Sequence, residues 1–467
     1  MKEFIGKNFL LTNQTALELF ENYAKDMPIF DYHNHLSAQE ICQKRHFDNI
    51  AQVWLENDHY KWRVMRVCGV DEAYITGNAD DYDKFVKWAQ TVEKIPGNPL
   101  YHWVHLELQR YFGINEPLCS ATAKSIWDSC NVQLGQPGFD AVGMMERAKV
   151  KFLCTTDEPA DTLEWHLKIA QDDTIKIKVL PSFRPDRVLH IEAQDWNEYI
   201  SKMQAHYGIK IDSFEALKNT LTLLIAYFKS AGCVVSDHGF IDFVYASDGN
   251  PEAVFARALA GEPLTKHEIA QYKGALLRFL GGEYCKNNMT MQLHLGALRS
   301  NNTSMLQKLG PNTGFDSMGS LTNSALIGAL LDDISKAGCL PRTILYSLNP
   351  GDNAMLSTMT VNFACSEIPG KVQLGSAWWF LDNVRGIQNQ LDELLETGLI
   401  STFIGMLTDS RSFTSFSRHE YFRRILCNKL GAIIENGEYA CDVPAMGNMI
   451  KDICYNNAVR YFGLSEL

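Results

Sequence analysis

Eight short runs rich in Val, Ile and Leu recur along the chain, with longer helix-compatible stretches between them, and this alternation limits the fold more than any other feature. The runs are Pro28–His33, Val150–Thr155, Ile175–Leu180, Cys233–Asp237, Thr290–Leu295, Thr343–Leu348, Val372–Gly375 and Thr402–Leu407. Strands that alternate with helical crossovers pair in parallel. Most runs lack a clean polar–apolar alternation, as expected of strands covered on both faces. Pro159–Gln171, Phe214–Ala231 and Leu321–Ala337 suit the covering helices. Eight such units predict an α/β fold, a closed (β/α)8 TIM barrel, with an open doubly wound sheet as the alternative.

The gap after the first run is too long for one crossover. Residues 37–147 are predicted to form a helical subdomain inserted after the first strand, its helices broken at Asn98-Pro99 and Glu116-Pro117. Residues 250–282 predict a second, shorter helical insertion. Asn13–Lys25 predicts a helix capped by Asn13 and packed on the barrel. With no linker or repeat between these parts, the whole of 1–467 reads as a single barrel domain.

A 46% apolar fraction with 24 Phe allows a large core. The formal net charge of −12, with scattered Lys and Arg, argues against a nucleic-acid surface. No stretch has the length of a membrane span. Met1 to Leu11 carries Lys2, Glu3 and Lys7 and lacks the apolar region of a signal peptide. The 12 cysteines have no regular spacing and no Cys-x-x-Cys pair, so they read as buried or free thiols of a reducing, cytoplasmic compartment.

Asp31-Tyr32-His33-Asn34-His35 closes the first run. In a strand, Asp31, His33 and His35 share one face. Two imidazoles above a carboxylate form half of a metal site, or equally a hydrogen-bonded patch of a polar barrel mouth. Their place at the working end of a barrel strand favours the metal. Zinc suits this donor set and leaves a position open; manganese and iron also fit. Asp409 and Arg411 follow the eighth run. Asp409 either completes the metal site or takes a proton, and Arg411 either holds Asp409 or grips a substrate carboxylate as a planar fork. A plain strand-end salt bridge is the alternative for this pair.

His294 ends the fifth run and is a third metal ligand, a substrate hydrogen-bonder or a structural histidine. Asp237 ends the fourth run and is a general base or a loop cap, with His238 competing for the role. Asp58-His59-Tyr60-Lys61-Trp62-Arg63, with Arg66 one turn on, offers acid–base groups and cations suited to an anion, or else a solvated amphipathic helix. Arg184 in Ser182-Phe183-Arg184-Pro185-Asp186 is another anion candidate. Trp378-Trp379 forms either a sugar-stacking wall or a buried aromatic pair. The chain has no Gly-x-Gly-x-x-Gly loop, Walker motif or Gly-x-Ser-x-Gly elbow, which sets aside nucleotide chemistry and serine hydrolysis.

With His-x-His at the first strand and Asp at the last, the chain resembles the amidohydrolase superfamily and, within it, the uronate (glucuronate) isomerases. The resemblance covers nearly the whole length. It rests on residues 30–36, His59-Tyr60-Lys61-Trp62-Arg63, Tyr101-His102-Trp103-Val104-His105-Leu106-Glu107-Leu108 and Cys154-Thr155-Thr156-Asp157. Phe183-Arg184-Pro185-Asp186, Gln292-Leu293-His294-Leu295-Gly296-Ala297 and Leu407-Thr408-Asp409-Ser410-Arg411 complete it. The resemblance implies an aldose–ketose isomerase that interconverts glucuronate and fructuronate, and galacturonate and tagaturonate, through an enediol. It implies that His33, His35 and Asp409 hold a divalent metal with His294 nearby, and that His59, Tyr60, Asp237, Arg184 and Arg411 line the substrate. Asp409 or Tyr60 would be the base. No lysine stands at the end of the fourth run, where binuclear relatives carry a bridging carbamate, so one metal is expected. The alternatives are a metal-dependent amide or lactone hydrolase of the same superfamily and a non-catalytic sugar-acid binder. A small hexuronate is the expected partner, with no nucleic acid or membrane, and a barrel of this size is compatible with a homo-oligomer.

Overall fold

The computed structural model describes residues 3–440 and 442–465. Met1 and Lys2 of the N-terminal reading and Cys441 of the cysteine set lie outside the described residues. Among the described residues there are ten short strands: β1 (Ile29–Asp31), β2 (Val150–Cys154), β3 (Lys178–Leu180), β4 (Ser182–Phe183), β5 (Val235–Phe240), β6 (Thr290–Leu295), β7 (Ala297–Leu298), β8 (Ser317–Met318), β9 (Thr343–Ser347) and β10 (Val372–Leu374). β1, β2 and β3 pair in parallel in chain order, and so do β4, β5, β6, β9 and β10. Pro181 separates β3 from β4, because proline has no N–H to give to a ladder. The third run is therefore one strand direction in two pieces. β7 and β8 are a small antiparallel hairpin beyond the end of β6.

Two expectations are corrected here. The first run is paired only to Asp31, so His33 and His35 lie past the ladder rather than within it. The eighth run, Thr402–Leu407, forms no regular strand: Ile400–Thr402 is a 3-10 turn and residues 403–410 are buried without a ladder. The gap between β10 and β1 is still filled. Asp409 N–H donates to the His33 carbonyl at 3.1 Å and His35 N–H donates to the Ser410 carbonyl at 2.8 Å. Part of the usual ladder is replaced by a side chain: the Asp31 carboxylate accepts Thr408 N–H at 2.8 Å and Thr408 Oγ1–H at 2.6 Å. Tyr32 OH donates to the Gly405 carbonyl at 2.7 Å. Seven parallel strand directions and this eighth segment thus follow one another in chain order, the arrangement of a (β/α)8 barrel.

Helices occupy the connections. Glu164–Gln171, Phe214–Ser230 and Ser324–Lys336 fall where the sequence calls for them. Between β1 and β2 the chain forms Ala38–Cys42, Ile50–Leu55, His59–Val67, Asp81–Val92, Pro99–Phe112, Ala123–Leu134 and Ala141–Arg147. Pro99 takes the first helical position, where its missing N–H costs nothing, and Asn98 caps Leu100 N–H. Pro251–Leu259 and Lys266–Lys286 follow β5, the second opened by a Thr265/Glu268 capping box. Asn13 accepts Ala16 N–H and starts Gln14–Leu19, which passes into a π-helical turn over Phe20–Ala24.

Cys285 and Cys339 depart from the expectation of free thiols: they are joined in a disulfide. They lie at the ends of Lys266–Lys286 and Ser324–Lys336, two helices that pack closely where Gly281 admits Ile334. The other described cysteines are free. Among the described residues, no helix is long and apolar enough to cross a membrane.

Asp31 is fully buried, and its removal leaves a buried N–H and hydroxyl of Thr408 unpaired. Asp31→Ala is expected to lower the unfolding free energy by about 2–4 kcal/mol. A shifted denaturant midpoint measures it, and an unshifted one would show that barrel closure does not depend on this carboxylate.

Candidate functional site

His33 and His35 leave the end of β1 just where the eighth segment delivers Asp409. His33 Nε2 stands 3.3 Å and His35 Nε2 3.1 Å from the same oxygen, Asp409 Oδ1. Ligand atoms about 2.0–2.1 Å from one tetrahedral ion lie about 3.3 Å from each other, so these separations fit the edges of one coordination shell. Asp409 takes φ +49°, a conformation that L-residues adopt at a cost and that is common where a site over-determines the backbone. Burial, and then the charge of Arg411, pull His35 down to about 3, so its imidazole is neutral, the form that ligates metal. Burial opposes ionisation of Asp409, yet its hydrogen bonds to His33 and His35 hold it well below the usual carboxylate range.

A second group adjoins the first through the other nitrogen of His33. His33 Nδ1 lies 3.6 Å from Asp237 Oδ2, His294 Nδ1 is 2.7 Å from Asp237 Oδ1, and Arg184 Nη1 is 3.0 Å from Asp237 Oδ2. His294 therefore sits with Asp237, outside the His33–His35–Asp409 group. The Arg184 guanidinium already supplies positive charge to Asp237, which works against a second cation there. Burial works against the charge on Asp237, but Arg184 and His294 hold it far below its ordinary value. His294 is fixed by Tyr346, stacked at 4.3 Å, and by the edge of Trp378 at 4.6 Å, while its buried Nε2 has no hydrogen-bond partner among the described residues. His238 points to the other side of β5 and meets Tyr284 OH at 3.1 Å, which separates it from Asp237.

Helix His59–Val67 forms the opposite wall. Asp58 caps it by accepting Tyr60 N–H, and its carboxylate also meets buried Lys61 Nζ at 2.5 Å. This cap places Tyr60 OH 2.8 Å from Asp409 Oδ2, to which it donates. Burial and the Asp409 charge push Tyr60 well above the usual phenol value, so it keeps its proton. His59 stacks on Tyr60 at 5.0 Å and meets the edge of Trp379 at 5.5 Å; burial and Arg411 pull it down to about 4. Trp379, itself at φ +49°, is buried.

The cations divide into two kinds. Arg184 is engaged by Asp186, at 2.7 Å, and by Asp237. Arg63 and Arg66, the anion candidates of the insertion, are occupied by backbone carbonyls of residues 313–316, and Arg66 also by Glu72. Arg411, half-buried, has no hydrogen-bonded or ion-paired partner among the described residues. The same holds for Arg299, which sequence reasoning missed. Its guanidinium lies 4.9 Å above the Trp379 ring, and burial and the nearby Arg184 charge lower its pKa. The signal for it was its position in the loop that follows β6, only five residues after His294, because barrel enzymes build their sites from such loops. Arg418, also missed, is buried on the far side of Tyr60, 3.9 Å from the Trp103 ring centre, and donates to the Thr408 carbonyl. The whole offers two imidazoles, that of His35 neutral, and an ionised carboxylate at one end, two guanidiniums without a partner among the described residues beside them, and a protonated phenol and a His–Asp pair between: groups for proton transfer on an anionic substrate.

Comparison with known proteins points to a single family. Residues 1–462 match the family model described as glucuronate isomerase. The chain is 49% identical to a uronate isomerase of Endomicrobium trichonymphae, over 99% of each chain, and 50% identical to one of Salmonella heidelberg, again over 99% of each. The crystal structure of a uronate isomerase from Thermotoga maritima superposes with a TM-score of 0.92 at 35% identity, covering 99% of this chain and 100% of that one.

The geometry around Asp409 Oδ1 predicts that the purified protein carries a divalent ion and that His33→Ala and Asp409→Ala each lose it. Elemental analysis checks this; ion content unchanged in both variants would remove the cluster as a metal centre.

Proposed function

This chain belongs to the glucuronate isomerase family, and from that premise we propose that it interconverts D-glucuronate with D-fructuronate, and D-galacturonate with D-tagaturonate, by moving a proton between C1 and C2 of the open-chain sugar acid. The observation that carries this reading is the pairing of the His33–His35–Asp409 group with two guanidiniums, Arg299 and Arg411, that lack a protein anion of their own. A uronate supplies the missing carboxylate at one end and a carbonyl with its hydroxyl at the other.

His33, His35 and Asp409 would hold one divalent ion, with zinc the best match to two imidazoles and a carboxylate. When bound, it would supply Lewis-acid polarisation of the substrate's carbonyl. Asp409 Oδ2 faces away from the histidines and toward Tyr60; it takes the proton from C2 of the aldose and returns it at C1, while the O2 hydroxyl proton passes to O1 through the enediol. Tyr60, which keeps its own proton, donates a hydrogen bond to that oxygen and so orients it. General acid–base help of this kind contributes about 10²–10⁴-fold. His59, a neutral imidazole, bonds a sugar hydroxyl. Asp237 and His294 form the pair that opens the sugar ring: Asp237 orients the imidazole, and His294 Nε2, which has no protein partner, faces the C1 hydroxyl and the ring oxygen. Arg411 and Arg299 grip the carboxylate, while Arg184 holds Asp237. Trp379 is the wall under Arg299 and His59.

Incubation with D-glucuronate is expected to yield a ketose, with no hydrolysis across a panel of amides and lactones; the reverse result would favour the hydrolase alternative. A chelator should abolish turnover and added zinc or manganese restore it. Activity that survives chelation would overturn the metal role. Arg411→Met is expected to leave the fold intact and lower kcat/KM by at least about 10²-fold, as loss of a buried charged contact does; unchanged kinetics would remove Arg411 from the account.

A further inference from the structure

The hairpin that carries Arg299 is not held by its own ladder alone. Ala297 pairs with Met318 and Leu298 with Ser317, Asn301 N–H donates to the Phe315 carbonyl at 3.0 Å, and Gly319 N–H donates to the Gly296 carbonyl at 2.8 Å. Arg299 stands between these rungs, opposite Asp316. The next residue, Ser300, has φ +51°, and its N–H is received by the buried Asp316 carboxylate at 2.8 Å. The returning arm, residues 313–316, is gripped from outside the hairpin. Arg63 Nη1 donates to the Gly314 carbonyl at 2.7 Å and to the Asp316 carbonyl. Arg66 donates to the Thr313 carbonyl, and its guanidinium lies 4.4 Å over the Phe315 ring. A Cβ on Gly314, whose φ is +92°, would stand 2.9 Å from the Arg63 side chain, so glycine is what lets the two come this close.

Both arginines belong to the helix whose first turn bears His59 and Tyr60. That helix therefore holds the acid–base wall at its start and the Arg299 hairpin one and two turns later. Carbonyl oxygens accept from a guanidinium without neutralising it, and the planar fork fixes direction as well as distance. A shift of about 1 Å in a positioning contact is enough to cost about 10²-fold.

We propose that Arg63, assisted by Arg66, is a positioning residue for substrate selection: it locks the 313–316 arm so that Arg299 stands at the distance from Tyr60 and Asp409 that a six-carbon acid requires. This rests on the reading of Arg299 as a carboxylate contact. It gives the two insertion arginines a task that is not anion binding, and it makes recognition of the acid end depend on the same helix as the proton-transfer end.

The test measures KM and kcat for D-glucuronate in the intact protein and in R63M, R63K, R66M, R299M and the double variant R63M/R299M. R63M is expected to raise KM about tenfold, equal to about 1.4 kcal/mol, with kcat changed less than about threefold. R63K should recover part of the loss, and R66M should shift KM in the same direction by less. The double variant should bind no worse than R299M alone, because residues that act through one another do not add. Additive KM increases in the double variant, or a loss confined to kcat, would overturn the proposal while leaving Arg299 as a carboxylate contact. An R299M variant with unchanged KM would overturn the Arg299 reading itself, and this proposal with it. Should R63M fail to fold, R66M with R66M/R299M completes the same cycle.

Discussion

The contact between the end of β1 and residues 408–410 is the one on which the rest depends. Asp31 receives both the backbone and the hydroxyl of Thr408, and the next residue, Asp409, donates its N–H to His33. These bonds close the barrel and at the same moment set the Asp409 carboxylate beside two imidazoles. Closure and site assembly are therefore one event. The left-handed backbone of Asp409 is held in place by that event, since nothing local would favour it.

Charge around this seam is arranged by burial as much as by pairing. Low water access keeps His35 and His59 neutral while Arg411 stands near both, and it keeps Tyr60 protonated beside an ionised Asp409. Neutral imidazoles, a protonated phenol and an ionised carboxylate thus stand within a few ångströms of one another. Acid–base chemistry on a sugar acid needs such a spread, together with guanidiniums left without a protein partner. Arg184 shows the contrast: it lies in the same cavity but is consumed by Asp186 and Asp237, so it organises the site from behind.

The inserted helices are part of this arrangement. His59–Val67 lies far from β1 in its own connection, yet its capped first turn reaches Asp409 and its later turns hold the hairpin after β6. One helix, fixed by the buried Asp58–Lys61 pair, thereby touches both Asp409 and the hairpin that carries Arg299.

Much of this was legible from residue order. Alternating apolar runs and helical stretches are local patterns, and burial on both faces of a parallel strand imposes them directly, so seven runs and the barrel class could be read. The His-x-His of residues 33–35 and the Asp-x-Arg of 409–411 were visible as strand-end polar groups. Tertiary structure decided what local pattern does not encode. The eighth segment is not a regular strand, because a side chain of Asp31 takes the place of part of its ladder. Arg63 and Arg66 read as anion ligands or as part of a solvated helix face; in fact they meet carbonyls of a distant hairpin. Arg299 carried no motif, and only the folded chain sets it over Trp379 with no hydrogen-bonded or ion-paired partner among the described residues. Spacing along the chain fixes which face a residue takes; which charge goes unpaired is settled only when the other segments arrive.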